Sequence, residues 1–192
     1  FDRYKEVSKQ IREIFLHYTD LVEPLSLDEA FLDVTDNRYG HNSATEIATE
    51  IRQRIFEETG LTASAGISIN KFMAKIGSDI NKPNGQKTIK PAEVIPFLET
   101  LSINKFFGVG KVTAKKMNSW GIYNGHQLKQ HSAEFLTQHF GKSGIHFYNI
   151  VRGIQYSEVK PNRIRKSVGT ERTFIENKYD KADIIAALDK IA

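Results

Sequence analysis

Two adjacent carboxylates, Asp28 and Glu29, lie between two runs that favour β-strands, and no other stretch restricts the fold as much. Leu21-Val22-Glu23-Pro24-Leu25 leads in and Ala30-Phe31-Leu32-Asp33-Val34 leads out, which predicts a β-hairpin with the acidic pair at its tight end. Side chains alternate along a strand, yet at a turn two neighbours can aim at one point. Pro24 marks the incoming strand as irregular or at an edge. Like charges brought together in this way require a cation. Without cysteine or histidine nearby, Mg²⁺ suits carboxylate oxygens best, and it usually also takes oxygens from a substrate phosphate. A solvated acidic turn is the alternative, and the apolar frame on both sides weighs against it.

The surrounding pattern extends this hairpin into an α+β unit. Tyr4, Val7, Ile11, Ile14, Phe15 and Tyr18 recur at three- and four-residue spacings, predicting an amphipathic helix over 2–18. After the turn-rich residues 36–40, Ser43 with Glu46 three positions later opens a second helix, with Ala44, Ile47, Ala48, Ile51 and Ile55 on one side and Gly60 at its end. Thr62 to Ile69 alternates and predicts a strand. The order helix, strand, strand, helix, strand is the ferredoxin-like βαββαβ pattern without its first strand. A sheet lacking a central strand leaves backbone groups unpaired, so the chain is expected to be part of something longer upstream.

Asn70 to Gly85 predicts a capped helix that buries Phe72, Met73, Ile76 and Ile80. Its other face aligns Lys71, Lys75 and Asp79, with Lys82 just past the end. Such a stripe is ordinarily solvated; following a strand of the acidic sheet, a lysine here is in range of a metal-held triphosphate. Pro83-Asn84-Gly85 predicts a turn and Lys87-Thr88-Ile89 a short strand.

From Pro91 short helices and glycine turns predict a second, all-α domain. Its centre, Phe107-Gly108-Val109-Gly110-Lys111, opens a helix carrying Lys115 and Lys116. Glycines let the backbone approach a ligand closely, helix N-terminal amides attract anions, and lysines beside them suit a nucleic-acid backbone gripped without reading bases. A plain turn with a solvated lysine face is the alternative. Two further short helices are predicted over 132–153. Gly141-Lys142-Ser143-Gly144 fails the P-loop spacing, because position 136 is Leu, and is read as a turn. Residues 155–166 lack apolar periodicity and read as a basic linker; Ser167 to Phe174 is strand-like and Lys181 to Ala192 helix-like.

Charge is divided along the chain. Residues 1–60 hold 7 Lys+Arg against 13 Asp+Glu, residues 61–192 hold 20 against 10, and the net charge is +4. An acidic first part with a basic remainder suggests a polyanion held by the latter. With no cysteine, disulfides, thiolate zinc sites and thiol nucleophiles are excluded. The six histidines show no paired-ligand spacing, no apolar run reaches membrane-spanning length, and a cytoplasmic protein is expected.

Ser26-Leu27-Asp28-Glu29-Ala30-Phe31-Leu32-Asp33, Ala65-Gly66-Ile67-Ser68-Ile69-Asn70-Lys71 through Asn81-Lys82-Pro83-Asn84-Gly85, the Gly108-Val109-Gly110 hairpin and Ser167-Val168-Gly169 occur in the order that resembles Y-family translesion DNA polymerases of the polymerase IV branch. The resemblance implies a palm over 1–90, a helix-hairpin-helix thumb over 91–155, a basic tether over 156–166 and the start of a little finger over 167–192. It implies that Asp28 and Glu29 are catalytic ligands of two Mg²⁺ ions, with a third carboxylate upstream of Phe1. Lys82, and with it Lys75, would contact the incoming dNTP. Gly108, Val109, Gly110, Lys111, Lys115, Arg165, Lys166 and Arg172 would contact primer-template DNA. Asp33 is assigned to strand or surface duty. The first palm strand, its sugar-selecting aromatic neighbour, the fingers and most of the little finger are missing from the sequence, and Gln155 stands where the family has an acidic residue. The chain alone is therefore expected to bind DNA weakly and catalyse little, and its parent to be an error-tolerant DNA-directed DNA polymerase. Engagement of a sliding clamp would need a C-terminal tail beyond Ala192. Two other readings compete: a non-catalytic DNA-binding module on a polymerase scaffold, and a nucleotidyl cyclase, against which the basic hairpin and tether argue.

Overall fold

The computed structural model describes all residues except Tyr39, His41, Asn42, Arg163, Arg165, Arg172, Ile191 and Ala192. It divides into two units, Phe1–Pro161 and Asn162–Ala192.

In the first unit, helix α1 (Asp2–Tyr18) packs against helix α2 (Ala44–Thr59). Their apolar stripes meet in a small core of Ile14, Tyr18, Ile47, Ile51 and Ile55, each isoleucine contributing about 1.5–3 kcal/mol by burial. The Ser43 hydroxyl caps α2 by accepting from the Glu46 amide, and Gly60 ends it with φ +72°. Strands β1 (Val22–Pro24) and β2 (Ala30–Leu32) form the expected antiparallel hairpin, Val22 opposite Leu32 and Pro24 opposite Ala30. The strand expected over 62–69 shortens to β3 (Ala65–Ile67), paired in parallel with β4 (Gln86–Thr88).

Helix α3 (Lys71–Ile80) makes the crossover between β3 and β4, with the Asn70 side chain accepting from the Met73 amide at its start. It crosses so closely that a Cβ on Gly66 would lie 1.9 Å from the Ala74 carbonyl oxygen, and one on Gly77 3.2 Å from the Gly66 Cα. At Gly66 only glycine permits that backbone approach, and at Gly77 a side chain would make the neighbouring backbone give. Phe72, Met73 and Ile76 are buried as expected, but Ile80 is 42% exposed. It lies in the final turn, beyond the part of α3 that covers the sheet, and Gly77 occupies the buried face instead.

Among the described residues the strands form two two-stranded sheets rather than one. A groove of about 1030 Å³ lies between them, lined by Phe31, Asp33, Ala65 and Ile67 among others. It falls where the split βαβ order has its central strand.

Residues 91–151 fold as short helices: α4 (Val94–Thr100), α5 (Lys111–Ser119), α6 (Gly125–Lys129), α7 (Ala133–Phe140) and α8 (Ser143–Ile150). Their core, with Leu98, Ile103, Phe106, Met117, Leu128 and Leu136, is continuous with Phe72, Met73, Ile76 and Ile89. The helical region is thus packed directly on α3.

In the second unit, α9 (Lys181–Asp189) starts at Asp180, whose carboxylate accepts from the Ala182 and Asp183 amides at 2.9 and 3.2 Å. The strand expected over 167–174 is not formed among its described residues. Strand geometry depends on a pairing neighbour, and the described residues of this unit offer none.

Candidate active site

The acidic pair occupies the five-residue loop 25–29. The Glu29 carbonyl accepts from the Leu25 amide at 2.8 Å and the Ser26 amide at 3.2 Å, closing the loop at the base of the hairpin. Ser26 donates its hydroxyl to Asp28 Oδ1 at 2.6 Å and accepts from the Asp28 amide at 3.4 Å. This hydroxyl holds the Asp28 carboxyl below the usual aspartate range; partial burial opposes the shift, and the Tyr4 hydroxyl and Lys75 reinforce it. Burial, followed by the adjacent Asp28 carboxylate, raises the Tyr4 phenol.

Helix α3 supplies the facing cations. Lys75 Nζ lies 2.5 Å from Glu29 Oε1, and its side chain is only 14% exposed. One turn earlier, Lys71 bridges Glu23 Oε2 at 2.8 Å and also donates to the Glu158 carbonyl at 2.8 Å. These two lysines are therefore nested against the hairpin rather than solvated. Lys82 pairs with Asp79 at 2.6 Å; that bond chiefly raises the Lys82 ammonium, and attraction to Glu29 and Asp28 adds to it. Asp28, Glu29, Lys75 and Lys82 all line the central groove. Asp33 also lines the groove, and its carboxylate closes a local turn, accepting from the Thr35 amide at 3.0 Å and its hydroxyl at 2.7 Å.

The donor set suits a hard cation held by few protein groups. Asp28, whose carboxyl is held below the usual range, lines an open groove with Glu29, while no cluster of three His, Asp or Glu side chains occurs among the described residues. Mg²⁺ tolerates such a set because it keeps waters and takes phosphate oxygens.

The glycine hairpin follows a 3₁₀ turn at Ile103–Lys105. Gly108 has φ +89°, and the Val109 amide donates to the Phe106 carbonyl at 3.0 Å while the Val109 side chain turns into the core. Gly110 is the N-cap of α5, from which Lys111 and Lys115 project exposed. Lys116 is committed elsewhere: its ammonium donates to the His139 carbonyl and lies 5.1 Å from the centre of the Phe140 ring. Lys75 Nζ lies 6.0 Å from the centre of the Phe107 ring, so the hairpin borders the acidic groove. Lys166 is exposed in the second unit, and Arg165 and Arg172 lie outside the described residues.

Several supporting residues carry no clear mark in the sequence. Tyr4, Ser8 and Arg12, one helical turn apart on α1, reach the acidic loop: Ser8 donates to the Leu27 carbonyl and Arg12 to the Ser26 carbonyl at 3.4 Å. Their i, i+4, i+8 spacing is a visible signal, masked because Tyr4 also fits the apolar stripe. The start of the basic linker is docked, not free. Gln155 accepts from the Phe72 amide at 2.8 Å, Asn70 donates to the Gly153 carbonyl at 3.0 Å, and the Lys160 amide donates to Glu23 at 2.8 Å. Gln155 thus caps α3 with the oxygen that an acidic residue would also provide. Among the described residues no helix is long and apolar enough to cross a membrane.

Comparison with known proteins agrees with this geometry. The impB/mucB/samB family matches residues 1–79, and the IMS family HHH motif matches residues 91–122. DNA polymerase IV 2 of Agrobacterium fabrum is 61% identical over 174 residues, which is 91% of this chain and 49% of the relative. DNA polymerase IV of Leptospira interrogans is 53% identical over all 192 residues and 53% of its own length. The crystal structure of DinB from Sulfolobus solfataricus superposes with a TM-score of 0.77 at 31% identity, covering 83% of this chain and 48% of that one. An insertion ternary complex of Dbh DNA polymerase gives 0.77 at 32% identity, covering 83% and 47%. Fold and acidic hairpin together define a polymerase palm joined to a helix-hairpin-helix. The chain belongs to the Y family of DNA polymerases, and its relatives are polymerases IV. It spans about half the length of the curated relatives it matches.

Proposed function

We propose that the protein containing this chain is an error-tolerant, DNA-directed DNA polymerase that adds dNTPs to a primer 3′ end by two-metal nucleotidyl transfer. The observation that carries this reading is the meeting of Asp28 and Glu29 with Lys75 and Lys82 in one groove bordered by the glycine hairpin. Asp28 and Glu29 would hold Mg²⁺, a third carboxylate coming from a strand seated in the groove. Held by these carboxylates, such ions would supply the Lewis acidity that lowers the pKa of a primer hydroxyl and offsets charge on a departing pyrophosphate. Lys82 binds the triphosphate, and Lys75, released from Glu29 when that carboxylate takes up its ligand role, neutralises a second phosphate oxygen. The amides of 108–110 with Lys111 and Lys115 hold duplex phosphates, joined by Arg165, Lys166 and Arg172 from the tether and little finger.

On this reading residues 1–90 are palm, 91–155 thumb, 156–166 tether and 167–192 the start of the little finger, and the protein works in the cytoplasm. Primer extension by the parent protein tests it. Glu29→Gln is expected to lower extension by about 10²–10³-fold, the scale of losing one electrostatic stabiliser, with duplex affinity retained. Salt-sensitive duplex binding without extension by either form would make the protein a DNA-binding module instead.

A further inference from the structure

We propose that Ser8 is a positioning residue for the acidic loop: through the Leu27 carbonyl it fixes the direction in which Asp28 presents its carboxylate to the metal. The inference rests on the polymerase reading for its kinetic consequence, but its geometric part stands on α1 and the loop alone.

Ser8 is 5% exposed, on a helix whose other buried residues are Ile14 and Tyr18. A hydroxyl at that depth must be hydrogen-bonded, or its desolvation is uncompensated. Its acceptor is the carbonyl of Leu27, nineteen residues away, immediately before Asp28. That carbonyl and the Asp28 N–H belong to one planar peptide unit. Holding the oxygen therefore holds the nitrogen and leaves only the torsions within Asp28 to aim its carboxylate. The Ser26 hydroxyl receives that same N–H and grips Oδ1, so the Leu27–Asp28 peptide is held at its oxygen by α1 and at its nitrogen by the loop itself. The Glu29 carbonyl is fixed separately by the Leu25 and Ser26 amides. Backbone bonds within the loop thus set Glu29, whereas Asp28 depends also on the helix beneath it. With Ser8 removed, the Leu27–Asp28 peptide keeps only the long 3.4 Å bond from its nitrogen to Ser26, and the direction of the Asp28 carboxylate is less tightly fixed.

Two substitutions isolate the hydroxyl from packing. Ser8→Thr and Ser8→Val introduce side chains of nearly the same shape that differ in whether they can donate. In the parent protein, Val is expected to raise the Mg²⁺ concentration for half-maximal extension by about 10-fold relative to Thr, the usual scale for a residue supporting a metal ligand. Extension at saturating Mg²⁺ should be nearly equal in the two. Mn²⁺ binding followed by electron paramagnetic resonance, without turnover, should weaken by the same factor, and amide exchange at Asp28 should be faster in Ser8→Val while exchange in α2 is unchanged. Equal Mn²⁺ affinity and equal exchange at Asp28 in the two folded variants would overturn the proposal. A parent that extends no primer would sink the polymerase reading, and the exchange and Mn²⁺ measurements would still decide the role of Ser8.

Discussion

Lys71 and Lys75 on α3, and Lys111 and Lys115 on α5, are the same residue type at the same four-residue spacing, and the fold uses them in opposite ways. The α3 pair is 16% and 14% exposed and is matched to Glu23 and Glu29. The α5 pair projects into solvent at the mouth of a glycine hairpin. The spacing places each pair on one helix face, but what that face meets decides its role. For α3 it is the acidic hairpin; for α5 it is open surface. Lysines held in a fixed place beside carboxylates suit a small ligand whose phosphates must be located, whereas exposed lysines suit a duplex backbone held at any sequence.

If this division is correct, α3-side and α5-side substitutions should damage different constants. The larger effect is expected at Lys82, which follows α3 and is drawn toward both Asp28 and Glu29. Lys82→Ala should raise the KM for dNTP by roughly 10–100-fold, the equivalent of one charged hydrogen bond of about 1.5–3 kcal/mol. Duplex affinity, measured by fluorescence anisotropy, should stay near that of the parent. A Lys82→Ala protein with weakened DNA affinity but an unchanged KM would merge the two lysine sets and end the comparison.

A smaller effect is expected on α5. The double variant Lys111→Ala/Lys115→Ala should weaken duplex binding at moderate salt and flatten the dependence of log affinity on log salt by about 0.9 for each phosphate no longer neutralised. The KM for dNTP should be unchanged. An unaltered salt slope would return these two lysines to the solvated helix face that their sequence pattern also allows.

The elements defined by local rules were legible in advance. Helices α1 and α2 follow their apolar stripes, Ser43 and Asn70 cap where their positions indicate, and the acidic pair does lie at the end of a hairpin. Where structure and sequence pattern part, the outcome depends on a distant partner. The strand over 62–69 keeps only Ala65–Ile67, because only those residues face β4. Ile80 fits the apolar period but lies beyond the sheet that α3 covers. Residues 155–160 lack periodicity, as a linker should, yet Gln155, Glu158 and Lys160 are tied to α3 and β1 by single polar contacts that no periodicity encodes. Ser8 is the same case within the site: a small polar residue on a helix carries no signal of an acceptor nineteen positions away.

The least effect belongs to the loop itself and separates Asp28 from its neighbours electrostatically. The Ser26 hydroxyl is the leading cause of the lowered Asp28 pKa, ahead of Tyr4 and Lys75. Ser26→Ala should therefore move the Asp28 carboxyl back up toward the ordinary aspartate range. The sign for stability follows from linkage. A carboxylate with a depressed folded pKa contributes stability that is present above its unfolded pKa and is lost as pH falls through the folded value. Ser26→Ala should narrow that acid window; the stability it removes is lost at neutral pH, is small because the group is largely exposed, and disappears below the folded pKa. A ¹³C titration of the Asp28 carboxyl measures the shift directly. If Lys75→Ala moved Asp28 further than Ser26→Ala did, the dominant interaction would lie across the groove on α3. Asp28 would then join Glu29 as a partner of the nested lysines, and the acidic loop would not have the independence that Ser26 and Ser8 confer on it.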